Sequence, residues 1–122
     1  MEGMSMEVAF DEASSIVHIT PPTDFKGPET INHARTNLEY AMGMFGDKAK
    51  GVVAHLPYHY INVEASLYYK ENLPDIPVAM VGTKSFQLLI ARFLLKITKP
   101  SRPMKVFESE SSAVAWIRSL TS

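Results

Sequence analysis

Hydrophobic residues alternate with polar ones at the start of the chain and recur at helical spacing further on. Met6, Val8 and Phe10 alternate with polar or small residues, and Ile16 to Thr20 is a second run rich in β-branched residues. Alternation on both sides of the polar residues 11–14 predicts a β-hairpin. Spacings of three and four after Gly27-Pro28 predict a first helix with one apolar face, made of Ile31, Ala34, Leu38, Met42 and Phe45.

Three further strand–helix pairs follow. Residues 51–56 and 76–81 are continuous apolar runs, typical of strands covered on both faces, and residues 104–107 predict a last strand. Helices are predicted over residues 63–71, from about Phe86 to Thr98, and at the end of the chain, where Ala113, Trp116, Ile117 and Leu120 form the expected buried stripe. Repeated strand–helix alternation implies right-handed crossovers. The predicted fold is therefore α/β: a five-stranded, mostly parallel sheet with an antiparallel first edge and four helices, in one domain over residues 6–122 after a tail of residues 1–5.

Composition narrows the class of protein. The chain has 122 residues, of which 46% are hydrophobic and 20% charged, as in ordinary single globular domains. A net charge of −1 without a basic cluster argues against nucleic-acid binding. The absence of cysteine excludes a disulfide framework and a thiol nucleophile. No signal-type N-terminus is seen, and the longest apolar stretch is too short to span a bilayer, so we expect a cytoplasmic protein without a membrane span.

The last third of the chain resembles a known family. Five consecutive features carry the resemblance: Val78-Ala79-Met80-Val81-Gly82, an apolar helix, the proline-bounded link Lys99-Pro100 to Pro103, the strand Met104-Lys105-Val106-Phe107, and Ser111 to Ile117 with its alanines and Trp116. This order is similar to the C-terminal half of the bacterial SpoIIAA-like, STAS/SEC14-type domain family. The resemblance implies an open sheet with packed helices, and often dimers.

One motif of that family is missing. Its anti-anti-sigma members are switched by phosphorylation of a serine in an Asp-Ser pair, which opens the helix after the central strand. The matching place here is Asn62-Val63, and valine has no hydroxyl to phosphorylate. We therefore expect a SpoIIAA-like domain without the phosphorylation switch.

The segment after the third strand is the first candidate site. Open α/β sheets place ligands at the carboxyl ends of their strands, so Tyr58, His59, Tyr60 and Asn62 are candidates for ligand or partner contact, together with Glu64. The alternative is that the rings only pack against the following helix. A metal held by His55, His59 and Glu64 is not expected, because Pro57 interrupts the helical spacing that would align the histidines. His55 is then a core or rim residue and His59 an exposed one.

Residues 82–85 form the second candidate site. They follow a strand and open a helix, so the backbone amides and the Lys84 ammonium could hold an anion. The P-loop order of glycine, lysine and hydroxyl is absent. Capping of the helix by Thr83 or Ser85 explains the same residues without a ligand.

The helix that follows is more apolar than a scaffold helix needs to be. Ser85, Arg92, Lys96 and Lys99 form a narrow polar stripe, and the rest of the circumference is nearly all apolar. Three explanations compete: burial under other parts of the chain, a homodimer interface, or a groove for an apolar ligand. The residues concerned are Phe86, Leu89, Ile90, Phe93 and Leu94.

These observations predict a non-catalytic binding or regulatory domain, acting as a homodimer or with a protein partner, without cofactor or metal. A carrier of a small apolar, lipid-like ligand is the first alternative. The second is a small enzyme that uses His59 and Glu64 as an acid–base pair, although no catalytic motif accompanies them.

Overall fold

The computed structural model describes residues 6–59, 61–73, 75–98 and 102–121, apart from the side chains of Leu94, Ile97 and Thr98. The predicted tail of residues 1–5 lies outside this range. The strands are β1 (Glu7–Asp11), β2 (Ile16–Thr20), β3 (Gly51–His55), β4 (Val78–Val81) and β5 (Met104–Phe107). The helices are α1 (Ile31–Phe45), α2 (Val63–Asn72), α3 (Ser85–Thr98) and α4 (Glu110–Thr121). The predicted order of elements is confirmed.

The five strands form one sheet in the order in which they occur in the chain. β1 pairs antiparallel with β2, and every later pair is parallel. The mixed sheet predicted from the strand–helix alternation is therefore confirmed. The strand order never reverses, so the sheet lacks the switch point at which open α/β sheets commonly bind ligands.

One face of the sheet is covered by α4. Ile16, Val53 and Ala79 lie on this face and pack against Ala113 and Ile117 of the helix, all with no exposed surface. The approach of α4 is close at Gly51, where a Cβ atom would stand 2.4 Å from the Ile117 Cγ2 atom. Leu120, predicted to belong to the buried stripe, is instead 51% exposed, so that part of the prediction is wrong.

The opposite face is covered by α1 and α3. α1 packs Ala41 against Val17, Val52 and Val78, while α3 packs Leu88 and Ala91 against Val106 of β5. α2 packs on α1. The sheet therefore has one helix on one face and two on the other, with α3 over the β5 edge.

Candidate functional site

The segment after β3 is fixed by a buried polar cluster. Glu29 is buried, with 3% of its surface exposed. One oxygen of its carboxylate lies 2.7 Å from the His59 Nε2 atom, and the other accepts a hydrogen bond from the Tyr69 hydroxyl. The Asn37 amide reaches the same hydroxyl at 3.4 Å. We call Glu29, His59 and Tyr69 the buried triad.

Local structure brings these residues together. Thr30 caps α1, which places Glu29 immediately before the helix. The backbone N–H of Asn62 donates to the backbone carbonyl of Glu29 at 2.9 Å. The Phe25 ring stands edge-on to the His59 ring, with 4.8 Å between the ring centroids. The His59 side chain is 1% exposed, so the prediction of an exposed His59 is wrong. Its burial is compensated by a carboxylate supplied from 30 positions earlier in the chain.

Burial and the neighbouring Glu29 carboxylate raise the pKa of the Tyr69 hydroxyl well above its ordinary value. Both effects disfavour a phenolate, since a second negative charge would stand beside the carboxylate in a desolvated place. Below pH about 10 the hydroxyl is protonated in both folded and unfolded chains. Above that pH the unfolded chain releases the proton while the folded chain keeps it, so stability falls as the pH rises.

We therefore expect Tyr69→Phe to remove an alkaline loss of stability. The wild type should lose up to about 1.4 kcal/mol of unfolding free energy per pH unit above pH about 10 through this hydroxyl. Urea unfolding at a series of alkaline pH values measures the slope, and Tyr68→Phe on the same helix is the control. Equal slopes for the Tyr69 and Tyr68 variants would contradict the assignment.

A small cleft lies at the carboxyl ends of the parallel strands. Its volume is about 180 Å³, and it is lined by Thr20, Pro21, Thr23, His55, Leu56, Tyr58, Val81, Thr83 and Gln87. Pockets for drug-sized ligands are larger, about 300–1,000 Å³. Of the residues predicted to contact a ligand, the cleft brings together Tyr58 and Thr83.

The other predicted residues of this region do not join that cleft. His59 belongs to the buried triad, Glu64 is exposed in the first turn of α2, and Asn62 is the N-cap of that helix. Tyr60 lies outside the described residues. The pair of His59 and Glu64 proposed as acid and base is replaced by His59 with Glu29.

The start of α3 is closed by Gln87. The backbone amides of Thr83 and Lys84 donate to its Oε1 atom at 3.2 and 3.0 Å. Its Nε2 group donates to the carbonyls of Leu56 and Pro57 at 3.0 and 2.8 Å. Because both amides already donate to a side chain of the protein, the geometry favours helix capping over an anion site. The capping residue is Gln87, not Thr83 or Ser85 as predicted.

α3 has two apolar faces. Leu88 and Ala91 are buried toward the sheet, at 7% and 5% exposure. On the other side are four large apolar side chains between 53% and 72% exposed, namely Phe86, Leu89, Ile90 and Phe93. At about 100° per residue this outer stripe points almost directly away from the packed face. The explanation that α3 is wholly buried under the rest of the chain is therefore wrong for these four residues. The side chain of Leu94 is not among those that the structure describes.

A second polar cluster lies on the α4 face. His18 of β2 and His55 of β3 share this side of the sheet, since His18 pairs with Val53 and His55 lies two residues further. Both approach one oxygen of Glu110, the first residue of α4: the distances are 3.3 Å from His18 Nδ1 and 2.9 Å from His55 Nε2. The hydrogen bond from His55, and after it the proximity of His18, lower the pKa of Glu110. His55 is therefore a rim residue, as expected.

Sequence reasoning missed Glu29, His18, Glu110 and Gln87. Glu29 stands in an irregular segment, and His18 occupies an inward position of a strand, where a lone histidine gives no signal of its partners. The neighbourhood of β2 and β3 would have brought His18 near His55, because consecutive strands often pair.

The sheet and its helices form an α/β fold of the SpoIIAA-like kind. The structure is similar to the crystal structure of an uncharacterized protein of the DUF3478 family, with a SpoIIAA-like fold, from Shewanella loihica PV-4: the TM-score is 0.65 at 11% identity, covering 96% of this chain and 95% of that one. The chain belongs to the family described as a domain of unknown function, DUF7793, whose model matches residues 58–121. No curated protein matches the chain. The predicted resemblance is thus confirmed for the fold.

Within the part of the chain that the structure describes, no helix combines the length and apolar character needed to cross a membrane.

Proposed function

We propose that this protein is a non-catalytic binding domain that pairs with a second copy of itself through the outer stripe of α3. The observation that carries the proposal is the exposure of Phe86, Leu89, Ile90 and Phe93, which reaches 72% at Leu89. Their spacing is i, i+3, i+4 and i+7, the pattern by which one helix packs along another.

The arrangement of the stripe favours a second copy as the occupant. In a two-fold symmetric dimer each subunit offers the same patch, so an apolar helix stripe meets an identical stripe. Arg92 and Lys96 lie to one side of it and stay in water, so no charge is buried by the pairing. The four side chains expose roughly 400 Å² together, a size at which exposed patches often mark an interaction site.

The exposed area of the α3 stripe is smaller than the area that a stable interface buries. A stable interface buries about 800 Å² on each partner, so the flanks of α3 and the adjacent surface must supply about half. The alternative of a lipid carrier gains little support from the cleft of about 180 Å³, which is below the size of a lipid pocket. The enzymatic alternative loses the His59–Glu64 pair on which it rested.

The mass in dilute solution tests the proposal. We expect the wild type to sediment with twice the 13.6 kDa of one chain. Leu89→Glu should raise the dimer dissociation constant by at least about 100-fold, because every dimer carries the buried carboxylate twice.

Leu120→Glu is the matched control, since Leu120 is an exposed leucine at 51% on α4, the helix of the opposite face. It should leave the mass at that of a dimer. A monomeric wild type, or equal dissociation of the Leu89 and Leu120 variants, would contradict pairing through α3.

A further inference from the structure

We propose that His18, His55 and Glu110 form a binding site for one divalent transition-metal ion, with zinc as the natural occupant. One ligand atom from each of these residues lies within 4.8 Å of the other two. The sequence predicted no metal, because it grouped His55 only with His59 and Glu64.

The ligand types suit such an ion. Zinc is bound by imidazole nitrogen and carboxylate oxygen at about 2.0–2.2 Å, and tetrahedral ligands at that radius are about 3.3 Å apart. The two imidazole nitrogens stand 3.3 and 2.9 Å from the Glu110 oxygen. Both nitrogen–oxygen distances are therefore close to those between the ligands of a bound ion.

The helix dipole does not explain the whole cluster. A carboxylate in the first turn of a helix, as Glu110 is, is stabilised by the helix N-terminus alone. That effect gives no reason for two histidines from separate strands to converge on the same oxygen. Hydrogen bonds from the imidazoles hold these atoms together without an ion. A cation between the three groups would use the same atoms, because neutral imidazoles and a carboxylate are all electron-pair donors.

The ligands stand on paired strands and a packed helix, and the outer side of the cluster is open. His18 and His55 are on neighbouring paired strands, and α4 is fixed by Ala113 and Ile117, which have no exposed surface. The ligand side chains are 19%, 28% and 53% exposed, so a fourth ligand, water or a small anion, can reach the ion from solvent. His55 also lines the cleft at the strand ends.

The site lies on the α4 face, opposite the face packed by α3, and is therefore independent of the proposed dimer. A two-histidine, one-carboxylate set with an open position is the kind that holds zinc with water in metalloenzymes, whereas structural zinc sites are closed by four protein ligands.

Titration of untagged, chelator-treated full-length protein with zinc chloride tests the proposal. We expect the wild type to bind one zinc ion per chain. The dissociation constant should be at least about 10-fold larger in His18→Asn and in His55→Asn. His33→Asn removes another histidine of the chain and should bind like the wild type. Cobalt(II) in place of zinc should give the visible absorption of a four-coordinate site in the wild type and lose it in the same two variants.

Glu110→Gln guards against misfolding of the histidine variants, because Glu110 is half exposed. It should weaken binding by a similar factor, while Glu108→Gln, two residues earlier and also exposed, should not. Absence of zinc uptake by the wild type would overturn the proposal. So would uptake that is unchanged in His18→Asn, His55→Asn and Glu110→Gln, since the ion would then be bound elsewhere.

Discussion

Glu29→Ala is expected to lower the free energy of unfolding by about 3–5 kcal/mol. The substitution leaves the buried His59 imidazole and the Tyr69 hydroxyl without the carboxylate that both of them contact. Domains of this size are stable by only about 5–15 kcal/mol, so the loss is a large part of the total. Urea unfolding followed by the fluorescence of Trp116, the single tryptophan, measures it at one fixed protein concentration.

Two variants make this result specific. Glu64→Ala removes the exposed carboxylate that the sequence pattern had paired with His59, and it should change stability by less than about 0.5 kcal/mol. Glu29→Gln should be milder than Glu29→Ala, because an amide oxygen still accepts from Tyr69 and an amide nitrogen can donate to the imidazole. A Glu29→Ala variant as stable as Glu64→Ala would show that the buried triad does not stabilise the segment after β3.

Gly51→Ala is expected to cost about 1–3 kcal/mol by overpacking. Its Cβ atom would stand 2.4 Å from the Ile117 Cγ2 atom and 3.5 Å from the Pro77 carbonyl oxygen. Ile117 has no exposed surface and is β-branched on a helix, so its side chain has little freedom to move away. Either α4 moves off the sheet or the contact stays strained.

A double-mutant cycle separates this contact from general effects of the substitution. Ile117→Ala alone should cost about 2–5 kcal/mol by leaving a cavity. In that background Gly51→Ala should be nearly neutral or stabilising, because the new methyl group enters the space left by Cγ2. Additive costs, with a coupling below about 0.5 kcal/mol, would contradict the close packing of α4 on β3.

The order of elements was predictable from the sequence because it depends on local periodicity. The hairpin alternates with period two, α1 repeats at three and four, and prolines end the segments, so each element is specified by residues close to one another in the chain. The apolar excess of α3 was visible for the same reason. That its outer stripe is exposed could not be predicted, since exposure depends on whether another part of the chain covers it.

The polar clusters depend on long-range contacts, and sequence reasoning failed there. Glu29 reaches His59 across 30 residues and Tyr69 across 40, and no period or motif links them. His55 and Glu110 are 55 residues apart and meet only because α4 returns to the face of β3. His59 was therefore predicted to be exposed, because its partner Glu29 lies in a segment without regular structure, far away in the sequence.

Disulfide trapping across α3 is the most direct test of the proposed self-pairing. The chain has no cysteine, so a single introduced thiol has only its counterpart on another copy to pair with. Ile90→Cys, in the middle of the outer stripe, should give a covalent dimer under mild oxidation at low micromolar concentration, whereas Leu120→Cys should stay monomeric on a non-reducing gel. Equal trapping at both positions, or none at Ile90, would contradict a dimer formed through α3.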